Sequence, residues 1–298
     1  MSDLISVIIP NYNQGVFLKR AIESVLSQTY QHFEIIVVDN HSSDQTDEII
    51  KKFEEHLIQL YKIHNNGIIA TSRNYGIARA KGKYIALLDS DDWWTKDKLQ
   101  ISIDELEAGY DIVYHDLWMV TKQNQRFHKR KVGARQVETP VYKDLLLRGN
   151  ALPNSSVVFR HSLGDTVGYI SEDTELKGVE DYDFWLKISN VTERFKFIPQ
   201  VLGFYWYGGE NFSKNLNMLI IGINKLLKLH EDNFRMKYNG EAPSYILFRR
   251  ARTAYLLKDE ILSARYLSEL CRQNMSFTVR LKVYWMLWRI KFTRITSK

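Results

Sequence analysis

Three carboxylates lie within four residues in the segment Asp89-Ser90-Asp91-Asp92, directly after the apolar run KYIALL. Mg2+ and Mn2+ prefer oxygen ligands, and they commonly combine one or two carboxylates with the phosphate oxygens of a substrate. The segment therefore predicts a metal-assisted diphosphate site, in which one or two of these carboxylates hold the metal. The alternative interpretation is a helix N-terminus capped by acidic side chains, with Trp93 and Trp94 packed as core.

Two earlier segments have residue types that suit a nucleoside. Asp39 ends the apolar run FEIIVVD, and its carboxylate can accept a hydrogen bond from N3–H of a uracil or a similar base edge. The alternative is an Asx-turn leading into a helix. Pro10 and Tyr12 end the first apolar run and are candidates to hold a base or ribose. Their segment is not the glycine-rich fingerprint of dinucleotide-binding folds.

Two later segments add a cation and a candidate base. Asn66 and Gly67 precede Arg73, whose guanidinium can fork onto a phosphate if it lies near a helix start; the alternative is a solvated surface arginine. Glu180 and Asp181 open the segment EDYDFWLKI. A carboxylate in the first turn of a partly apolar helix can act as a general base, and the alternative is that it caps the helix.

Composition excludes several other classes of protein. The 298 residues contain one cysteine, Cys271, so an internal disulfide is impossible and we expect a reducing compartment. The motifs of zinc proteases, serine hydrolases and P-loop NTPases are absent. We expect no cleaved signal peptide from the N-terminal sequence, and no apolar run is long enough to span a bilayer.

The elements that must position these residues follow from hydrophobic periodicity. Short apolar runs at 4–10, 33–39, 57–63, 83–89 and 111–116 predict strands, and amphipathic stretches between them predict helices, one of them capped by Ser43 or Asp44. This alternation is typical of βαβ units and a parallel sheet, in which ligands bind beyond the carboxyl ends of the strands. The candidate residues stand at those ends.

The pattern weakens after residue 117 and then becomes helical. We expect a polar loop over 122–136, strands over 155–160 and 195–207, and a short helix over 181–190. Beyond Ser213 apolar residues recur at helical spacing. The sequence thus predicts an α/β domain over 1–212, followed by a helical C-terminal region over 213–298 with a basic amphipathic tail.

The motifs above, read together, resemble the inverting family 2 glycosyltransferases of the GT-A fold, in which a Rossmann-like, mostly parallel sheet is flanked by helices. The resemblance rests on SVIIPNYN, FEIIVVDNHSSDQT, NNGIIATSRNYGIARAKGKYIALLDSDDWW and Gly178-Val179-Glu180-Asp181. It is dense over 4–116, and the last third of the chain is only loosely covered.

The resemblance implies a nucleotide-diphosphate-sugar donor, usually a UDP-sugar, and a divalent metal, Mn2+ or Mg2+, with Asp91 and Asp89 as the metal ligands. It places Asp181 as the catalytic base, with Glu180, Asp92, Trp93 and Trp94 around the sugar and acceptor. It gives the remaining candidates to the nucleotide sugar: Pro10, Tyr12, Asp39, Asn66, Gly67, Arg73, Asp89, Ser90 and Asp91. The implied acceptor is a hydroxyl of a glycan or lipid-linked saccharide, in the synthesis of surface polysaccharide such as O-antigen.

Two departures from the family pattern stand out. Asn40 and His41 occupy a loop that is often acidic in the family. Gly208 occupies the position at which many members carry a histidine in an R-x-H-x-x-S-x-S stretch. We therefore predict no histidine ligand there, and the backbone of Gly208 and Gly209 and the side chain of Ser213 are the candidates for diphosphate contact.

The basic charge is concentrated at the C-terminus. Residues 270–298 carry seven Lys and Arg and no acid, so the other residues have 34 bases against 35 acids. Leu281, Trp285, Trp288 and Phe292 form a stripe at helical spacing, which predicts contact of 277–298 with an anionic membrane surface. The alternative is that the stripe packs as core. Since the charge lies in the tail alone, we predict no nucleic acid partner.

The sequence therefore predicts a cytoplasmic hexosyltransferase, peripheral on the inner face of the plasma membrane. A catalytically silent nucleotide-sugar-binding module is one alternative, although it has no reason to retain Asp39, Asp89, Asp91 and Asp181 together. A sugar nucleotidylyltransferase is another, but that class generally begins with a glycine-rich phosphate loop, which PNYNQG lacks.

Overall fold

The computed structural model describes residues 3–53, 58–122, 125, 129–208, 216–237, 244–256, 258–272 and 277–296. Its strands are β1 (Ile5–Asn11), β2 (Phe33–Asp39), β3 (Ile58–Lys62), β4 (Tyr84–Leu87), β5 (Trp93–Trp94), β6 (Ile112–Val120), β7 (Val158–Arg160) and β8 (Phe195–Trp206). Its helices are α1 (Gly15–Leu26), α2 (Thr46–Ile50), α3 (Ile69–Ile77), α4 (Lys98–Glu107), α5 (Val141–Arg148), α6 (His161–Val167), α7 (Glu180–Ile188), α8 (Leu216–Lys237), α9 (Ser244–Leu256), α10 (Glu260–Leu270) and α11 (Phe277–Thr296).

The strands form one eight-stranded mixed sheet in the order β3-β2-β1-β4-β7-β6-β8-β5. The four strands β3, β2, β1 and β4 are parallel, as the βαβ pattern predicts. β7 lies between β4 and β6 and is antiparallel to both, and the two-residue β5 is antiparallel to β8. β7 lies within the strand predicted over 155–160, whereas the antiparallel pairings of β7 and β5 are the part of the sheet that the βαβ pattern does not predict.

Alternate residues of the central strands fill two hydrophobic clusters, one on each face of the sheet. Val7 and Ile9 pack with α1 and α4, whereas Ile8 packs with α3, α5 and α7. A strand buried on both faces needs the continuous apolar runs seen in β1 and β2. Gly76 permits close packing of α3 on β1, because a Cβ there would lie 2.7 Å from Cγ2 of Ile8.

Element ends differ from the sequence prediction where local polar contacts decide them. α2 begins at Thr46, and its N-cap is Gln45 rather than Ser43 or Asp44. The Asp44 carboxylate instead receives hydrogen bonds from the backbone N–H and hydroxyl of Thr46. In β8, the register shifts opposite His115 and Asp116, next to Pro199, which donates no ladder hydrogen bond.

The C-terminal helices divide between two cores. In α8, Ile223, Leu226, Leu227 and Phe234 belong to the cluster on the α3 face of the sheet. Helices α9, α10 and α11 form a third cluster of their own around Leu247, Leu267 and Val283. The boundary predicted between 212 and 213 falls outside the described residues and stays a prediction.

Lys98 is an ionisable residue within the core, and replacing it with an apolar residue should stabilise the protein. Its side chain is fully buried at the first position of α4, its Nζ has no hydrogen-bond partner, and the Trp94 ring lies 3.7 Å away. Burial lowers the pKa of Lys98 well below its usual value. We expect Lys98→Met to raise the free energy of unfolding by about 1–3 kcal/mol at neutral pH, measured by urea unfolding.

The pH dependence gives a second readout for this substitution. Between the lowered pKa and the usual one, the unfolded chain holds a proton at Lys98 that the folded chain lacks, so stability rises with pH. Lys98→Met should remove this slope above pH 7, where His115, whose pKa burial lowers to about 3, contributes none. The exposed Lys96→Met is the matched control, and equal effects of the two substitutions would contradict the prediction.

Candidate active site

The carboxyl ends of β1, β2 and β4 meet at one edge of the sheet and bring the predicted nucleoside residues together. Asn11 Nδ2 donates to Asp39 Oδ1 at 2.8 Å and to Thr46 Oγ1 at 3.1 Å. Pro10 is buried at this edge, whereas the Tyr12 ring is 58% exposed beside it. The edge therefore offers an exposed aromatic ring above a buried carboxylate.

Asp39 holds the turn after β2, as the Asx-turn interpretation predicts. Its Oδ2 accepts from the Ser42 backbone N–H at 2.9 Å, and its Oδ1 accepts from the Ser42 hydroxyl at 2.5 Å. His41 adopts a positive φ in this turn, and its ring stacks on His64 at 3.9 Å. Contact of Asp39 with a base stays a prediction.

Asn66 and Gly67 form an exposed turn that precedes α3. Both residues have positive φ, and Asn65 Oδ1 accepts from the Gly67 N–H at 2.8 Å. Asn65 itself is buried and donates to the Ser72 hydroxyl. The turn lies beyond the carboxyl end of β3, on the same side of the sheet as Asp39.

Arg73 is the ionic link between the two halves of the site. It lies within α3 rather than at a helix start, and its side chain is 4% exposed. NH2 donates to Asp89 Oδ1 at 2.7 Å, and NH1 donates to Glu180 Oε1 at 2.8 Å. Burial would lower the pKa of Arg73, but Asp89 and Glu180 raise it above its usual value. The Arg73 guanidinium was predicted to bind phosphate, but both of its terminal NH2 groups donate to carboxylates of the protein.

Asp89 and Asp91 are neighbouring carboxylates whose negative charges repel each other. Asp89 is fixed by Arg73, by Asn154 Nδ2 at 3.2 Å, and by its own N–H, which donates to the Ser155 hydroxyl. Burial, and then the charge of Asp89, raise the pKa of Asp91 to about 7. Ser90 donates to Gln14 Oε1 and lies buried between them. A divalent cation would relieve this repulsion.

The pair therefore fits a divalent cation of the kind that completes its shell with substrate oxygens. Within the described ranges, no group of three or more His, Cys, Asp or Glu side chains is placed to hold a metal by itself. Mg2+-type sites commonly need only one or two carboxylates when phosphate oxygens supply further ligands. Asp89 and Asp91 are the carboxylates that would hold such a cation, which stays a prediction, and the described part of the chain contains no site made of three or more such protein ligands.

Of three residues predicted around the sugar and acceptor, Asp92 and Trp94 are buried instead, and Trp93 is half-buried. Asp92 is 1% exposed and accepts from the Trp206 N–H at 2.8 Å, which ties the acidic loop to β8. Trp94 is buried, and its indole donates to the Ser155 carbonyl. The faces of the Trp93 ring are covered by Phe204 and by Arg20, 4.9 and 3.4 Å from its centroid.

The burial of Asp92 and Trp94 corrects their sequence-based assignment to the sugar pocket. Pairing of β5 with β8 places both tryptophans in the sheet, where Trp94 has the core packing of the alternative interpretation. Trp93 packs on Phe204 and Arg20 and is half-buried, and its contact with a sugar stays a prediction. Glu180 is also buried, since its Oε2 accepts from the Gly178 N–H at 2.6 Å while Oε1 binds Arg73.

Asp181 remains the acidic residue of α7 that faces a cavity. It is the second residue of the helix, so it does not cap it, and its Oδ1 accepts from the Tyr182 N–H. Burial, and then the charge of Glu180, raise the pKa of Asp181 to about 7. A carboxylate with this pKa is suited to accept a proton near neutral pH.

The cavity beside Asp181 has a volume of about 170 Å³ and lies between the sheet domain and the C-terminal helices. Asn150 and Asp181 form one wall, and Leu219, Ile223 and Arg249 from α8 and α9 line the other. A larger cavity of about 270 Å³ lies between α2 and β3 and contains none of the predicted site residues. Because it contains Asp181, the smaller cavity is the better candidate for the active site.

Several residues of the site have no clear sequence signal. Arg20 in α1 donates to the Asp91 carbonyl at 2.8 Å, yet its position in the helix pattern is that of a surface residue. Asn150 and Arg249 lie outside 4–116, the part of the sequence in which the quoted motifs are dense. The polar run Asn154-Ser155-Ser156 between buried apolar residues is the one signal that indicates a buried polar support for Asp89.

The segment that departs from the family's R-x-H-x-x-S-x-S pattern lies only partly within the described residues. A Cβ on Gly208 would clash with the Trp206 indole, so this backbone path does not accommodate a histidine side chain without movement of the tryptophan. Gly209 and Ser213, the other candidates for diphosphate contact, lie outside the described residues.

Comparison with known proteins agrees with this geometry. Residues 6–176 match glycosyl transferase family 2, and the chain belongs to that family. It is 32% identical over 204 residues to an uncharacterised glycosyltransferase of Rickettsia typhi, covering 64% of this chain and 60% of the relative. It is 40% identical over 103 residues to Bacillus subtilis TuaG, named provisionally for teichuronic acid biosynthesis, covering 34% of this chain and 41% of TuaG. The chain thus spans less than two thirds of these relatives.

Solved structures show the same fold. S. aureus TarS 1–349 in complex with UDP-GlcNAc superposes with a TM-score of 0.59 at 17% identity, over 87% of this chain and 83% of TarS. The mannosyltransferase PcManGT from Pyrobaculum calidifontis, in complex with GDP-Man and Mn2+, gives 0.57 at 18% identity, over 95% and 79%. The GT-A fold with added C-terminal helices is thereby confirmed.

Proposed function

We propose that the protein is an inverting, metal-dependent hexosyltransferase that uses a nucleotide-diphosphate sugar, with UDP as the nucleotide. The observation that carries this proposal is the bridge made by Arg73. It ties the acidic pair after β4 to the first turn of α7, so a diphosphate site and a candidate base belong to one rigid unit. Two structures of this fold, TarS with UDP-GlcNAc and PcManGT with GDP-Man, support a nucleotide-sugar donor.

In this proposal the nucleoside lies along the carboxyl ends of β1 to β3. The exposed Tyr12 ring and the Asn66-Gly67 turn supply its walls, and Asp39 approaches the base edge. Asp89 approaches the ribose and, with Asp91, holds Mn2+ or Mg2+. Such a cation neutralises negative charge on a leaving diphosphate. The paired charges of Asp89 and Asp91 and the Mn2+ in PcManGT support this assignment.

Asp181 acts as the general base. Its carboxylate faces the cavity, accepts the proton of an acceptor hydroxyl, and so frees the oxygen to attack the anomeric carbon. The C–O bond to the diphosphate breaks on the opposite face of the sugar. A single displacement of this kind inverts the anomeric configuration.

The acceptor enters the cavity between Asp181 and the C-terminal helices. Its apolar wall, Leu219 and Ile223, suits the carbon face of a sugar ring, and Asn150 and Arg249 supply polar contacts. We assign the acceptor to glycans or lipid-linked saccharides of surface polysaccharide synthesis. The name of TuaG supports this class. As part of the same proposal, the protein acts in the cytoplasm, peripheral on the inner face of the plasma membrane.

Calorimetric titration with UDP, GDP, dTDP and CDP, each with and without Mn2+, tests the donor site without an acceptor. We expect UDP to bind with Mn2+ and to lose most of its affinity without it. Absence of binding by every nucleotide to folded protein would overturn the proposal. Products then identify the reaction, since a transferase releases nucleoside diphosphate and a nucleotidylyltransferase releases pyrophosphate.

A further inference from the structure

The exposed side of α11 presents a row of large apolar side chains. Leu281, Tyr284, Trp285 and Trp288 are each between 54 and 57% exposed. They follow the i, i+3, i+4, i+7 spacing of one helix face. The opposite face, formed by Val283, Met286 and Ile290, packs into the cluster with α9 and α10. The helix therefore has two apolar faces, and the core covers one of them.

This arrangement separates the two interpretations of the tryptophan stripe. Leu281, Trp285 and Trp288 belong to the exposed face, and the core is built by a different row of the same helix. The side chain of Phe292 lies outside the described residues. Three aromatic rings and a leucine in one exposed row mark an interaction surface rather than scattered surface residues.

Basic residues border this row on both sides. At about 100° per residue, Arg280 precedes Tyr284 around the helix, and Arg289 and Lys282 follow Trp285. All three basic side chains are exposed, and the Arg289 guanidinium lies 5.4 Å from the Trp285 ring centroid. From Leu270 to Lys298 the sequence contains no acidic residue. The surface thus combines an aromatic centre with a cationic border.

We infer that this face of α11, formed by Leu281, Tyr284, Trp285 and Trp288 with Arg280, Lys282 and Arg289, binds an anionic lipid surface. Aromatic rings at the headgroup level and basic side chains beside them are the two contributions an interfacial helix makes. A second copy of the chain is disfavoured as the occupant, because facing copies would bring their basic borders together. Among the described residues no helix is long and apolar enough to cross a bilayer.

The test is co-sedimentation of the full chain with vesicles of phosphatidylcholine alone or mixed with phosphatidylglycerol. We expect binding to the anionic vesicles at low salt, weakened by high salt, and at least about tenfold weaker binding to the neutral ones. Tryptophan emission should shift to the blue on binding. Trp285→Ser with Trp288→Ser should lower the partition coefficient at least about tenfold.

Controls separate this surface from general stickiness and from misfolding. Ile261→Ser in α10 removes another apolar side chain, 75% exposed, and should leave vesicle binding unchanged. Arg280→Gln with Lys282→Gln and Arg289→Gln should abolish the preference for anionic vesicles. If the double tryptophan variant melts below wild type, Tyr284→Ser replaces it, because that side chain is equally exposed.

The inference would be overturned by no binding of wild type, by wild-type affinity in the tryptophan variant, or by an equal loss in Ile261→Ser. Light scattering tests a second copy as occupant, since a wild-type dimer that the tryptophan variant dissociates would also overturn it. Vesicle binding needs no nucleotide, so UDP titration of the same preparation distinguishes failure of this surface from failure of the proposed donor site.

Discussion

Asp181→Asn is expected to lower sugar transfer by about 10³-fold while UDP and Mn2+ bind as tightly as in wild type, because general base catalysis contributes about 10²–10⁴-fold. The amide keeps the size of the carboxylate and its acceptor oxygen for the Tyr182 N–H, but it accepts no proton from an acceptor hydroxyl. Release of nucleoside diphosphate measures transfer, and calorimetry measures donor binding. Unchanged turnover would sink the assignment of the base.

The pH profile adds a readout that a structural role would not move. A base with a pKa of about 7 is protonated below that pH, so kcat/KM should fall as the pH drops below 7 and level off above it. The profile is measured at saturating Mn2+, which favours the ionised form of Asp91, whose pKa is also raised to about 7. Under that condition the residual activity of Asp181→Asn should lose this limb. Asp104→Asn in α4, an exposed carboxylate with the same substitution, is the matched control and should retain wild-type rate and profile.

The fold could be predicted from the sequence wherever an element is long and buried on two faces. β1 and β2 are continuous apolar runs, and their parallel pairing follows from the helices between them. β7 lies within the strand predicted over 155–160, but its antiparallel pairing depends on contacts distant in sequence. β5 was not predicted, since two residues carry no periodicity. The segment that forms α9 to α11 was predicted to be helical, but the hydrophobic cluster between these helices depends on tertiary packing.

The site could be predicted at the level of segments more than of side chains. The ends of β1, β2 and β4 do converge, because parallel strands bring their carboxyl ends to one edge. Sequence spacing did not indicate which residues of Asp89-Ser90-Asp91-Asp92-Trp93-Trp94 face outward. The pairing of β5 with β8 decides that, and it turns Asp92 and Trp94 inward.

Arg73 shows why charge alone does not reveal a ligand. An arginine between an Asn-Gly turn and an acidic strand end suits phosphate binding. In the structure, however, Arg73 binds two carboxylates of the protein, Asp89 just after β4 and Glu180 in α7. Glu180 is 107 residues away along the chain, so only the fold brings it to Arg73. The bridge is therefore a tertiary feature, and it defines the second large effect expected here.

Arg73→Met is expected to destabilise the protein by about 3–5 kcal/mol, since removing one partner of a buried ionic group leaves the other charges uncompensated. Glu180 is buried and Asp89 is mostly so, and Arg73 is the cation that the structure places against both. Urea unfolding followed by circular dichroism measures the change. UDP affinity should fall as well, because the acidic loop after β4 loses its link to α7.

Two companion variants decide whether the bridge is the cause. Arg79→Met, an exposed arginine that stacks on Tyr75 just beyond the same helix, should change stability by no more than about 0.5 kcal/mol. Glu180→Gln combined with Arg73→Met should recover part of the lost stability, because one uncompensated charge is then removed. If Arg73→Met and Arg79→Met have the same effect, or if the double variant is no more stable than Arg73→Met alone, the bridge does not hold the two halves of the site together.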